Sequence, residues 1–123
     1  MGLDIDIMTH DNEEMVSFRS HEILLHRLYA VVEDTERPEL GVRELESLVE
    51  EFEDEMLEAE MDLPELDIGN PQTPEDIVAG LPEDFCGDEP KDWTAALPHY
   101  RLLFSRLIPI ARQEIYLKLI ATA

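Results

Sequence analysis

The chain has 123 residues, of which 30 are Asp or Glu and only 9 are Lys or Arg, for a formal charge of −21. Nucleic-acid binding needs clustered bases to displace counterions, and Lys occurs only at 91 and 118, which argues against direct contact with nucleic acid or with an anionic membrane. The hydrophobic fraction of 44% suits one core, no apolar run is long enough to span a bilayer, and the single Cys86 excludes an internal disulfide.

The acidity is a block. Residues 31–92 hold 23 acids and three bases, whereas residues 93–123 hold one acid, Glu114, and four bases. Asp4 and Asp6 stand where a secretory leader would carry its basic residues, so no leader is expected and a reducing cytoplasm is the expected compartment.

In chain order, Leu3, Ile5 and Ile7 alternate with Asp4 and Asp6, the period of a short strand. His10 to Glu13 reads as a turn, and Met15 to Phe18 as either a second short strand or the lead into a helix. From Ser20 to Asp34, Ile23, Leu24, Leu28, Val31 and Val32 repeat at helical spacing, and Leu25 and Tyr29 widen the stripe. Thr35 to Gly41, with Pro38, is a connection.

Gly41 and Glu44 suit the start of a helix over 42–62. At about 100° per residue from Glu44, its apolar side chains (Leu45, Leu48, Val49, Phe52, Met56 and Ala59) fall between about 40° and 140°. Ten acids fill the rest of the circumference, with Leu57 and Met61 among them. Five of the eight prolines lie in 63–90, an irregular region with one short helix. There Thr73 is the N-cap, Pro74 the first helical residue, Asp76 a carboxylate three residues after the cap and Gly80 the stop. A last helix is expected over 98–121, with Pro98 dividing an entry turn from it and Pro109 kinking it.

These elements predict a mainly α, small α+β chain: a single domain over 1–123, of three-helix type, with a short N-terminal β element. The helices at 20–34 and 42–62 should pack around the last, setting Trp93, Tyr100, Phe104 and Leu107 against Phe52, Leu48, Leu28 and Val32.

Familiar catalytic patterns are missing. His21 and His26 are five apart, whereas a zinc-protease helix needs two His four apart on one face. Asp4, Asp6, His10 and Asp11 offer ligand atoms, but a solvated strand face and a polar turn are the expected reading of them. Asp84 to Asp92 does not fit a calcium loop, and there is no phosphate loop, nucleophile elbow or Cys/His zinc pair. No enzyme, metal or cofactor is expected.

The helix at 42–62 carries the functional expectation. Over 44–62 its ten acids would give one charge per about 2.8 Å, against one phosphate per about 3.4 Å on a DNA strand. Repulsion at Glu46–Glu50, Glu50–Asp54, Glu51–Glu55 and Asp54–Glu58 opposes the helix. A face kept only for solubility would intersperse Lys, and this one has none. The expected partner-binding residues are Glu46, Glu50, Glu51, Glu53, Asp54, Glu58 and Glu60, with Leu57 and Met61 as apolar anchors.

The opening Met1-Gly2-Leu3-Asp4-Ile5, then Phe18-Arg19 and His26-Arg27-Leu28, resembles small phage and prophage proteins that begin with the same pentapeptide. The resemblance covers about the first 30 residues; the Phe-rich Gly-Ser turn that many of those proteins carry further on is absent. It implies a mobile-element origin and transfers no site. The expectation is therefore a non-catalytic inhibitor of anti-CRISPR or anti-restriction type, binding a basic host protein in the host cytoplasm as a nucleic-acid mimic. The competing readings are an acidic adaptor or assembly protein with a basic partner, a salt-adapted protein, and a small metal-dependent enzyme using Asp4, Asp6 or His10.

Overall fold

A computed structural model describes residues 4–122. Its elements run β1 (Asp4–Met8), β2 (Glu14–Phe18), α1 (Glu22–Val31), β3 (Glu39–Gly41), α2 (Val42–Glu58), α3 (Pro74–Val78), α4 (Trp93–Glu114) and β4 (Tyr116–Thr122). The strands form one sheet in the order β2-β1-β4-β3, and every neighbouring pair is antiparallel.

This architecture corrects the expected three-helix domain. The chain is a small α+β protein with a four-stranded sheet, and its last segment is a strand. The helix expected over 98–121 starts at Trp93, runs on through Pro98 and Pro109, and ends at Glu114. Ile115 then adopts a φ of 76° and a ψ of −50°, a γ-turn geometry that stops the helix and turns the chain into β4 in one residue. Leu117 and Leu119 are buried while Tyr116, Lys118 and Ile120 point the other way, so the period there is two. β4 lies between β1 and β3, pairing Ile7 with Leu119 and Leu40 with Leu117. Of the two readings of Met15 to Phe18, the strand is correct: these residues belong to β2, opposite Ile5 to Met8. Leu3 lies outside the described residues.

Ile5, Ile7, Val16, Phe18, Leu40, Leu117 and Leu119 supply the buried face of the sheet and share one core with the helices. Phe52 of α2 stacks on Tyr100 of α4 with ring centroids 5.7 Å apart, and lies 5.8 Å from Phe104 and 6.2 Å from Trp93. Phe18 reaches Phe104 at 6.0 Å from the sheet side. The aromatic packing expected between the second and last helices is present; the sheet beneath it was the missing layer.

The bases of the C-terminal third hold the irregular region in place. Arg101, 7% exposed, donates to the Pro64 carbonyl at 2.8 Å, and Arg106 donates to the Ile77 and Ala79 carbonyls at 3.0 and 2.7 Å, at the end of α3. α3 itself starts at the expected N-cap Thr73, with which Asp76 forms a reciprocal cap, and buries Ile77.

Candidate functional site

α2 buries Leu45, Leu48, Val49, Phe52 and Met56 against α4, as its angular pattern dictates. It is shorter than expected, ending at Glu58. Glu60 takes a left-handed φ of 60°; its N–H bonds to the Leu57 carbonyl at 3.0 Å, and the Met61 N–H reaches back to the Met56 carbonyl at 2.9 Å. This is the Schellman pattern, in which the residue after the left-handed turn lays an apolar side chain on the last turn. Met61 is accordingly half-buried against the core. It serves the helix terminus and is not the free anchor expected of it.

The ten acids divide by their angle on the helix. Glu46, Glu50, Asp54 and Glu58 project outward in one i, i+4 row and are exposed. Among the described residues, no Lys or Arg forms an ion pair with any of the four. Leu57 lies beside this row with 56% of its surface exposed. Glu60 and Asp62 extend the exposed acidity past the helix end, and Glu33, Asp34 and Glu36 flank its start.

The acids at the shoulders of the apolar arc have structural partners. Glu53, about 180° from Glu44, accepts from Arg101 Nε at 2.8 Å. Glu55, at about 20°, accepts two bonds from Arg27 and one from the Trp93 indole N–H. Glu44 Oε1 accepts from the Gly41 N–H at 3.0 Å and caps the helix, while Glu51 is half-buried with its Oε2 unpartnered. Arg43 reaches Glu33 at 3.7 Å across open solvent, where such a pair adds little. The charge available to a partner is therefore a row of carboxylates about 6 Å apart, roughly half the density expected from counting every acid. Glu53 falls out of the expected contact set, and Glu51 stands at its margin.

Comparisons with known protein families, curated proteins and solved structures find no match.

Elsewhere, the candidates from the sequence take structural places. Asp6 Oδ1 accepts from the Ser17 hydroxyl at 2.7 Å, and Asp4 Oδ1 accepts from the Ser20 N–H at 3.1 Å. The Glu14 carboxyl beside Asp6 sits above its ordinary pKa, through desolvation first and then the bond and repulsion from Asp6. His10, in the β1–β2 turn, packs its ring at a tilt against Tyr116 with centroids 4.4 Å apart, away from Asp4 and Asp6. Among the described residues, no three His, Cys, Asp or Glu side chains are grouped to hold a metal ion, and no helix is long and apolar enough to cross a membrane.

A second acidic surface draws its carboxylates from the Asp84 to Asp92 stretch, whose spacing fits no calcium loop; the fold adds Phe85 and His99 to them. It is a cleft of about 330 Å³ lined by Asp84, Asp88 and Asp92 together with Phe85 and His99. Asp92 also caps α4, accepting from the Ala95 N–H at 3.1 Å.

Proposed function

We propose that the chain is a non-catalytic inhibitor of phage or mobile-element type that presents α2 as a nucleic-acid mimic to a basic groove of a host protein, in the manner of an anti-CRISPR or anti-restriction factor. The observation that carries this reading is the row Glu46, Glu50, Asp54 and Glu58, exposed along about 18 Å of rigid helix with no ion pair to Lys or Arg among the described residues. Such a row attracts Arg and Lys of a groove built for phosphates, speeds encounter, and occupies the groove against the true substrate. Leu57, exposed within the acidic surface, adds the desolvated contact that slows release. The resemblance of the opening residues to phage proteins directs the search to host defence nucleases acting in the host cytoplasm.

The test is capture from bacterial lysate at low salt, followed by competition. Mimicry predicts that duplex DNA releases the captured protein, and that Glu50→Lys with Asp54→Lys abolishes capture. A partner that survives the double reversal, or that ignores competing DNA while its DNA-binding groove is intact, overturns mimicry. The second of these results favours an acidic adaptor.

A further inference from the structure

We propose that His21 is an acid-operated latch that holds the 82–92 segment against α1 and the aromatic core. His21 is fully buried, at the N-cap position of α1, yet forms no side-chain cap. Its Nδ1 lies 2.7 Å from the Arg19 carbonyl. A carbonyl only accepts, so Nδ1 carries the hydrogen and Nε2 is the bare acceptor of a neutral ring. Nε2 is buried with no partner, as is the nearby Tyr100 hydroxyl. The ring lies edge-on to Phe18 at 5.0 Å and to Tyr100 at 6.3 Å.

The 82–92 segment is tied down at the residues flanking this imidazole. The Arg19 N–H donates to the Cys86 carbonyl at 3.1 Å. The Ile23 N–H donates to Glu89 Oε1 at 2.6 Å, so Glu89 supplies the cap that His21 does not. Phe85 closes on Tyr100 at 4.8 Å and on Phe18 at 6.5 Å, the two rings that also enclose His21. The titratable groups around His21 are Arg19 beside it, Cys86, Asp88 and Glu89 on the segment, and Tyr100 on α4.

A proton added to Nε2 creates a buried cation whose new N–H has no acceptor. Glu89 and Asp88 are its neighbouring carboxylates, and Glu89 already holds the Ile23 N–H through Oε1, so a bond from Nε2–H must draw on the carboxylate that caps α1. Protonation therefore sets α1 and His21 in competition for one carboxylate, and movement of the segment relieves the cost. Burial accordingly holds the His21 pKa below its ordinary value, despite the opposing influence of the Arg19 carbonyl and the two carboxylates. Closed at neutral pH and released in mild acid, the segment would uncover Phe85 and the chain's single cysteine. In the closed form Cys86 is half-buried, and desolvation pushes its thiol up to about 11, which disfavours the reactive thiolate.

That cysteine is the reporter. Labelling of Cys86 by a dithiodipyridine, which reacts with thiols in acid, is measured from about pH 7.5 to about pH 5 against the urea-unfolded chain at each pH. The latch predicts that protection of Cys86 falls about tenfold or more across this range, while the far-ultraviolet circular dichroism is unchanged. In His21→Phe, which keeps a ring but cannot titrate, protection should stay flat. Should that variant fail to fold, the wild type decides: amide exchange at Arg19 and Ile23 must rise with the same midpoint as the His21 ring signal in NMR. Protection that does not change with pH, falls equally in His21→Phe, or is lost only with the whole fold overturns the proposal.

Discussion

Arg27 on α1 and Glu55 on α2 form a two-pronged pair: Nη1 donates to Oε2 at 2.6 Å and Nη2 to Oε1 at 3.0 Å. The Trp93 indole, at the start of α4, donates to the same Oε1 at 3.2 Å, and the Arg27 guanidinium lies 5.4 Å from the centre of the Trp93 ring. One carboxylate thus joins three helices. Glu55 is an acid of the α2 block whose task is internal.

Truncating it separates the structural acids from the surface row. Glu55→Ala leaves two charged donors and an indole N–H without their acceptor in a half-buried site, and should destabilise the fold by about 2 kcal/mol. Glu50→Ala, on the exposed row, should change stability by less than about 0.5 kcal/mol. Urea unfolding with a common m value measures both; equal effects would show that Glu55 does not bridge the helices in solution.

The charge reversal that tests mimicry makes a second, independent prediction about folding. In Glu50→Lys with Asp54→Lys, the repulsions of Glu46–Glu50 and Asp54–Glu58 become attractions, while the pair 50–54 remains alike in charge. At a few tenths of a kcal/mol for each change, the double variant should be more stable than the wild type by about 0.5–1 kcal/mol at low salt. Lost partner binding together with raised stability would place the acids in recognition. A variant that unfolds more easily would show that the row has structural partners.

Glu60 should yield stability to the smallest side chain. Its φ of 60° is a conformation that glycine adopts without steric penalty, and its charge extends an already crowded acidic surface. Glu60→Gly should raise the unfolding free energy by about 1 kcal/mol. Glu60→Ala keeps the strained backbone and should gain little of that. The contrast between these two variants in thermal unfolding checks the conformational origin of the effect.

What was readable in the sequence follows the same physics. The α2 face was legible because its apolar residues occupy one narrow arc, and α3 because Thr73, Pro74 and Asp76 make a local signature that needs no tertiary information. β4 was not legible: Ile115, Leu117, Leu119 and Ile120 fit a continued helical stripe as well as a strand, and their preference was decided by pairing with β1, over a hundred residues earlier in the chain. Ile115 also hid the helix end, since a β-branched residue occupies a positive-φ position, where glycine is the usual signal. Within the acidic block, Glu53 and Glu55 betray their internal roles by angle alone, because both flank the apolar arc; only the neighbouring helices revealed which bases would meet them. The Schellman turn at Glu60 was hidden for the same reason as Ile115, and with it the true role of Met61.

The α3 cap gives a pH-dependent prediction whose sign is fixed. Asp76 Oδ2 accepts from the backbone N–H groups of Gln72 at 2.9 Å and Thr73 at 3.1 Å, while Thr73 Oγ1 accepts from the Asp76 N–H at 3.3 Å. The Gln72 bond first, and then those with Thr73, hold the Asp76 carboxyl below its ordinary value of 3.8. A depressed carboxylate stabilises the fold above its unfolded pKa, and that stabilisation is lost as pH falls through the lowered folded value. Arg106 anchors the end of α3 and Ile77 is buried in the core, so loosening this helix registers in global unfolding. Asp76→Asn should therefore be less stable than the wild type at neutral pH, and the two proteins should converge as the pH drops below the carboxylate range. Urea titrations at several pH values from neutral to strongly acidic test this. A stability difference that persists unchanged into strong acid would mean that the Asp76 charge contributes nothing to the cap.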